Sequence, residues 1–379
     1  MQFKDIIGQQ SIKKRLIGSV NEGRISHAQL FAGPEGCGGL ALAIAYAQYI
    51  ACKERTIEDS CGKCPSCIKY DSLAHPDLHF AYPITSAKEN ETSLKYISEW
   101  REAVMADPYL NLYTWIGLVG KENQQGIISV HESAEILRRL SLTSFEGGYK
   151  VMIIWMPEKM NIEAANKLLK ILEEPMPKTL FVLVTEGPEL LLSTIISRTQ
   201  IIKIGRIADE EMKKALMEGQ KLSEVEAERI TYMADGNYEE ALKLVRDPDS
   251  DNFNFIQFRQ WMRNCFGKEV VKNLHWVEGI AGVGRERQKN FLDFAMSMMR
   301  ETMLISYADD QMVRLHGEEL EFAKKFSPYV HGENIIQITD ELNRAARDIE
   351  RNANPKILFT DLSFKLMVLL KQAVGVVNG

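Results

Sequence analysis

Two stretches of this chain hold residue types and spacings that can do chemistry. The first is a run of four cysteines, Cys52, Cys61, Cys64 and Cys67, spaced C-x8-C-x2-C-x2-C. Four thiolates can close a tetrahedral shell around zinc, leaving no position for water or substrate, so such a site is structural rather than catalytic. Gly62 and Pro65 help the chain reverse between ligands. A redox dithiol pair or buried unliganded thiols are the alternatives. Four cysteines crowded together while Cys37 and Cys265 stand alone suit a metal site better than a disulfide framework. Those two isolated residues read as small core side chains.

The second stretch is the turn Gly33-Pro34-Glu35-Gly36-Cys37-Gly38-Gly39. A phosphate-binding loop reads G-x-x-x-x-G-K-[ST]: its amides cradle phosphate, its lysine neutralises the outer phosphates and its hydroxyl holds magnesium. Gly33, Gly36 and Gly38 fit that frame, but Gly39 stands where the lysine belongs and Leu40 where the hydroxyl belongs. The acidic half of such a site should follow the strand Val151 to Ile154, and there the chain offers Trp155 and Met156. Neither an indole nor a thioether binds magnesium. Loss of one preorganised charge commonly costs about 2.7–4 kcal/mol of transition-state stabilisation, so loss of all of them leaves essentially no phosphoryl-transfer catalysis. ATP is expected not to bind, or to bind only weakly through backbone amides. Taken alone, the glycines also fit a turn with no link to nucleotides.

These residues need elements to position them. Ser11 to Glu22 reads as a helix, Ala28 to Ala32 as a short strand entering the glycine turn, and Leu40 to about Ala51 as a long apolar helix. The continuous apolar runs 150–154 and 180–184 are expected for strands buried on both faces of a parallel sheet. Between them Ile162, Ala165, Leu168, Leu169 and Leu172 recur at helical spacing until Pro175. Strand, helix, strand predicts a three-layer α/β domain. After Ile204 the strand signals stop, giving a short helical set over 209–246 and a longer one from about Asn252 to Val376. The polar loop 247–251 marks the boundary between them.

Length and charge set the limits. The 379 residues exceed what one core usually organises. A net charge of -6 supplies no global field for gripping a phosphate backbone, so any DNA contact must be local or shared. The first sixteen residues are charged every few positions, unlike a secretory signal. No apolar run reaches the roughly 18 residues a membrane span needs. A cytoplasmic protein without membrane contact is expected.

Several stretches together resemble the AAA+ subunits of bacterial sliding-clamp loaders, and within them the delta-prime branch. They are Ile6 to Gln9, Ser26 to Phe31, the cysteine run followed by His75-Pro76-Asp77, Ala165 to Pro175, and Leu191 to Gln200. The resemblance spans nearly the whole chain. It implies an AAA+ (P-loop NTPase-like) α/β domain with a parallel sheet and zinc knuckle over 1–205, a small helical lid over 206–248, and an all-α collar over 249–379. In that family a Ser-Arg-Cys motif sends its arginine into a neighbouring subunit's ATP site. Here Ser197-Arg198-Thr199 matches except at the third position, so the resemblance makes Arg198 an arginine finger in trans. The guanidinium is permanently charged and forked, and such fingers contribute about 10³–10⁵ in rate. An arginine salt-bridged at a strand start is the alternative.

Active relatives carry a sensing arginine in a Gly-Ser-x-Arg-x-Ala-Leu pattern. This chain has Gly236-Asn237-Tyr238-Glu239-Glu240-Ala241-Leu242, with an acid in the arginine position. The resemblance implies motor (gamma/tau) and delta subunits as partners in a hetero-pentamer, with the sliding clamp engaged indirectly and primer-template DNA through the complex. The final helices, Ala346 to Lys356 followed by Leu358, Leu362, Leu366 and Leu369, resemble the collar, although an apolar stripe is also what an internal core requires. One departure from the family is a segment over 84–127 holding Tyr96, Trp100, Tyr109, Tyr113 and Trp115. It is expected to form helices packed on the α/β domain, with contact to a partner as a further option. Three functions compete: a silent clamp-loader subunit, an active AAA+ motor, and a zinc-stabilised adaptor. Gly39, Leu40 and Trp155 speak against the motor, and Arg198 within its motif against the adaptor.

Overall fold

The computed structural model describes residues 1–85, 91–120, 126–246, 248–307, 313, 315, 317–350 and 352–371. They form two compact units, Met1–Val245 and Arg246–Gly379.

The first unit is built on five strands: β1 (Ala28–Ala32), β2 (Leu78–Ala81), β3 (Lys150–Trp155), β4 (Thr179–Thr185) and β5 (Gln200–Lys203). Every pairing is parallel, in the order β2-β3-β4-β1-β5. All residues of β1, β3 and β4 are buried, which is why β3 and β4 read as long apolar runs, 151–155 and 180–184, rather than alternating ones. The edge strand β5 keeps only Ile202 buried.

Seven helices belong to the sheet's surroundings up to the third strand pairing. They are α1 (Gln10–Asn21), α2 (Gly39–Ala51), α3 (Pro65–Asp71), α4 (Ile97–Ala106), α5 (Leu112–Val119), α6 (Val130–Ser141) and α7 (Ile162–Glu173). The short α8 (Ser193–Ile196) precedes β5. One apolar layer joins α2 to Val151, Ile153, Leu180, Val182 and the aromatic residues of the 84–127 segment. The opposite layer joins Met152, Ile154, Phe181 and Leu183 to α6 and α7. The alternate residues of each strand thus enter different cores, as the period of two requires.

Helix α2 shows how sequence dictates place. Leu40 through Ile50 are all buried, including Tyr46 and Gln48, so this helix has no solvent face. Helix α7 departs from the expected stripe at its first residue: Ile162 is exposed, while Ala164, Ala165, Leu168 and Leu172 carry the burial. Asn161 caps it by accepting the Ala164 amide at 2.8 Å. That cap fixes the helix start and turns its first side chain outward.

Helices α9 (Asp209–Gln220), α10 (Glu224–Ala234) and α11 (Tyr238–Arg246) complete the first unit around Met212, Leu216, Ala227, Ile230 and Ala241. The second unit is helical: α12 (Pro248–Gly267), α13 (Val270–Gly282), α14 (Arg285–Tyr307), α15 (Gly317–Phe326), α16 (Ile335–Glu350) and α17 (Pro355–Leu369). Helix α12 begins at Pro248, inside the stretch read as a polar loop; residue 247 itself lies outside the described residues. Proline is favoured at a first helical position because its fixed φ suits the turn and its missing N–H would be unpaired there anyway. The expected extension to Val376 likewise falls outside the described residues, with α17 ending at Leu369.

Trp261 and Trp276 stack at 4.9 Å and 5° in the second core, with Phe291 and Phe359 packed around them. Leu362, Leu366 and Leu369 are buried there too, so the stripe read from sequence serves the internal core. A different face of α17, Ile357, Phe364 and Val368, is exposed. Phe291→Ala is expected to destabilise the second unit by about 3–5 kcal/mol in urea unfolding. Phe364→Ala should stay within about 0.5 kcal/mol of the parent if that face is solvated in the isolated chain.

Candidate functional site

The glycine turn lies at the carboxyl end of β1, in the crevice outside the strand ends where α/β sheets place ligands. Gly36 and Gly38 adopt φ of 68° and 87°, and Gly38 precedes the first residue of α2. A side chain at Gly36 would collide with Asn237, and one at Gly38 would meet the Tyr109 ring. The turn therefore has the backbone of a phosphate cradle, with its open side covered.

What covers it comes largely from the 84–127 segment. The remaining cleft is about 20 Å³, bounded by Gly33, Gly36, Gly38, Gly39, Tyr109 and Trp155 among others. That is room for about one water molecule, against the several hundred Å³ of an ordinary small-molecule pocket. Trp155 is 2% exposed and tilts against Trp100 at 5.2 Å. Trp100 in turn stacks on Tyr82 at 4.0 Å. Trp115 meets both edge-on and donates its indole N–H to the Pro83 carbonyl at 2.8 Å. The described parts of the segment form α4 and α5 packed on the sheet, as expected; residues 86–90 and 121–125 lie outside the described residues.

The polar groups near the turn are acidic. Glu35 accepts hydrogen bonds from Asn111 and Asn237 at 3.2 and 3.4 Å. Glu186 lines the cleft, and Thr185 at the end of β4 donates its hydroxyl to Glu158 at 2.8 Å. Glu239, in the position where active relatives have arginine, is buried and accepts from Asn111 at 3.3 Å while pairing with Lys243 at 3.0 Å. Sequence reading singled out Glu239 and Tyr109 but not Glu35, Asn111 or Glu158. Their signal is only that an acid sits inside the glycine turn and an asparagine precedes α5.

Arg198 and Ser197 lie at the other end of the sheet. The register of β1 with β5 sets Gln29 beside Gln200 and Ala32 beside Lys203. Arg198, just before β5, is therefore about 20 Å along the strand direction from Gly33, just after β1. The guanidinium is about one-third exposed. Its Nε donates to Glu173 at 3.1 Å and its Nη1 to the Thr194 carbonyl at 3.0 Å and to Ser197 Oγ at 3.4 Å. The structure thus brings the four glycines and Trp155 together and leaves Arg198 apart from them.

The four cysteines form a separate cluster, with all four Sγ atoms within 4.8 Å of one another. Cys52 and Cys64 are 4.0 Å apart, and Cys61 and Cys67 3.9 Å. Tetrahedral zinc with Zn–S bonds near 2.3 Å sets its sulfurs about 3.8 Å apart, so the donor set fits that ion. Amides of Cys61 and Cys64 donate to the Cys52 and Cys61 sulfurs, both at 3.3 Å. Burial pushes the Cys64 thiol up, but the Cys67 and Lys53 amides outweigh it and bring it down to about 6. Cys37 and Cys265, by contrast, are pushed up to about 12 by burial and are core thiols.

Helix α3 carries the last cysteine of the cluster, Cys67, and a polar web ties it to the sheet. His75 accepts the Asp77 amide on Nδ1 at 3.1 Å and faces the Ser66 hydroxyl through Nε2 at 3.3 Å. Ser66 and Lys69 both donate to Glu146, at 2.9 and 2.7 Å. Asp77 accepts the Phe145 and Glu146 amides at 2.8 and 3.0 Å. His-Pro-Asp is thus a structural clasp between knuckle and β2.

A glycine turn between a central parallel strand and a buried helix, followed by a small helical group, is the arrangement of an AAA+-like domain. Residues 8–208 match the family described as "DNA polymerase III, delta subunit", and the chain belongs to that family. It is 32% identical to the delta-prime subunit of DNA polymerase III from Bacillus subtilis over 64% of this chain and 60% of that protein. It is 23% identical to the tau subunit from the same organism over 94% of this chain and 60% of that one. The matches therefore span about 60% of each of these relatives' length. A solved gamma-subunit-related protein from Thermotoga maritima aligns at TM-score 0.38 and 14% identity, covering 96% of this chain and 100% of that one.

Burial raises the Glu239 carboxyl above the usual carboxylate range, despite Lys243. A raised acid makes its charged form unfavourable to the fold above that pKa, and the penalty disappears as pH falls below the unfolded value. Glu239→Gln is accordingly expected to raise stability at neutral pH. In paired thermal melts the gain should shrink as pH falls through the raised value; a gain that grows on acidification would contradict the assignment.

Proposed function

We propose that this chain is a non-hydrolysing, stator-like subunit of a DNA polymerase III clamp loader that supplies Arg198 in trans to the ATP site of a neighbouring motor subunit. The observation that carries this reading is the filled phosphate turn: the crevice beside Gly33 to Gly39 retains about 20 Å³ and is closed by Tyr109 and Trp155. Without lysine, hydroxyl or magnesium-binding carboxylates, the turn has lost the groups that phosphoryl transfer uses. The remote position of Arg198 at the opposite end of the sheet favours action on another subunit, because the side chain cannot reach its own turn. Ser197 and Glu173 hold the guanidinium in the isolated chain.

In this reading residues 1–205 form the AAA+ domain, 206–248 the lid and 249–379 the collar. The exposed α17 face of Ile357, Phe364 and Val368 is available for packing between collars. The partners are gamma/tau motor and delta subunits in a hetero-pentamer, which opens the sliding clamp for primer-template DNA. This subunit gives the ring a rigid face and meets DNA only modestly, as its net charge suggests. Among the described residues no helix is long and apolar enough to cross a membrane. Zinc in the Cys52, Cys61, Cys64 and Cys67 site stabilises the knuckle and does no chemistry.

Two measurements test the proposal. ATP turnover by motor subunits reconstituted with Arg198→Ala should fall by about 10³ at the adjoining site, while the isolated chain turns over no ATP. Hydrolysis by the isolated chain would instead favour a motor role. The purified protein should hold about one zinc per chain by elemental analysis, and chelation should lower its melting temperature. A melting temperature indifferent to chelator would remove the metal.

A further inference from the structure

Tyr109 makes contacts that neither family membership nor a passive insert accounts for. It is 6% exposed and touches three separate parts of the first unit. Its hydroxyl accepts the Ile7 amide at 2.8 Å. Its ring lies against the bare backbone of Gly38, where a Cβ would come within 2.9 Å. The same ring meets Tyr238 edge-on at 5.0 Å and joins the apolar cluster of Ile207, Met212 and Leu216. The amino-terminal segment, the phosphate turn and the small helical group therefore converge on one side chain.

The segment around it is pinned. Asp107 accepts the Tyr109 amide at 2.9 Å, and Asn111 caps α5 through the Thr114 amide at 2.8 Å. The Asn111 amide group also reaches Glu35 in the turn and Glu239 in α11, at 3.2 and 3.3 Å. On either side α4 and α5 are fastened by Trp100 against Tyr82 and by Trp115 to Pro83. A bridging ligand must be immobilised on binding, whereas a bridge in the same chain is ordered once, during folding. The carboxylates of Glu35 and Glu239 beside it also disfavour an anion there.

We infer that residues 107–111 are an internal surrogate for nucleotide: a strut in which Tyr109 and Asn111 join phosphate turn to helical lid and hold their arrangement without any ligand. This deepens the non-hydrolysing reading, on which it rests, by explaining what replaces the bound molecule as the link between these parts. The lid of this subunit then keeps one orientation through every nucleotide state of its neighbours.

Hydrogen exchange on the full chain tests the strut. In Tyr109→Ala, amides of Ile7, of the 36–40 turn and of 236–242 should exchange about tenfold faster or more, while β3 and β4 stay protected. Unchanged exchange at those amides overturns the strut. Should the alanine variant fail to fold, Tyr109→Phe decides: the Ile7 amide alone should lose protection, and no change there also overturns the proposal. Magnesium-ATP should alter none of these rates in the wild-type chain, and protection of 33–40 by nucleotide would refute the surrogate. ATP hydrolysis by the isolated chain would instead sink the non-hydrolysing reading, so the two failures are separable.

Discussion

The packing of aromatic rings against the carboxyl ends of β1 and β3 is the constraint on which the rest of the first unit depends. A nucleotide site at this crevice needs charge, water and space. Trp155, Trp100 and Trp115 are all at most 2% exposed, so the region is dry. Once Trp155 ends β3, its indole needs an apolar neighbour, and Trp100 from α4 supplies one. Trp100 then needs Tyr82 and Trp115, which brings the whole 97–119 stretch onto the sheet. On the function proposed above, the missing magnesium ligands and the helical segment are physically one feature: buried aromatic surface stands where a nucleotide site would need a hydrated pocket.

The exchange leaves the backbone of the turn in place, and the reason is local. Gly33 is pressed against Ile204 and Cys37, and Gly39 against Val184. Those contacts belong to the junction of β1, β4, β5 and α2, which the fold needs whether or not phosphate binds. The lysine and hydroxyl serve only the ligand and are free to vanish. A glycine pattern without those charged residues is therefore fully explained by the packing of the fold.

Much of this was legible in the chain. Strands β1, β3 and β4 announce themselves because burial on both faces leaves them mostly apolar, and the cysteine spacing points to the cluster directly. What could not be read were contacts far apart in sequence: Tyr109 meets Ile7 across 102 residues, and Asn111 meets Glu239 across 128. Neither residue carries a pattern that names its partner. The start of α12 at Pro248 was hidden for a different reason, since proline and aspartate suit both a turn and a first helical turn, and only the helix beyond decides between them. The α17 stripe was legible as a buried face, but its outer face was not: Leu362 and Ile357 are both apolar, and the packing of α12, α13 and α16 determines which is inside.

The two ends of the sheet divide the labour. At the carboxyl end, side chains from distant segments close on the turn and make it a rigid joint. At the amino end, Arg198 is tied only by an exposed carboxylate and neighbouring oxygens. An exposed ion pair contributes roughly 0–1 kcal/mol, which a stronger anion such as a phosphate can readily outcompete. On the function proposed above, a rigid turn and a weakly held cation are complementary: an arginine finger is useful only if the body carrying it does not move when a neighbour's phosphate pulls on it.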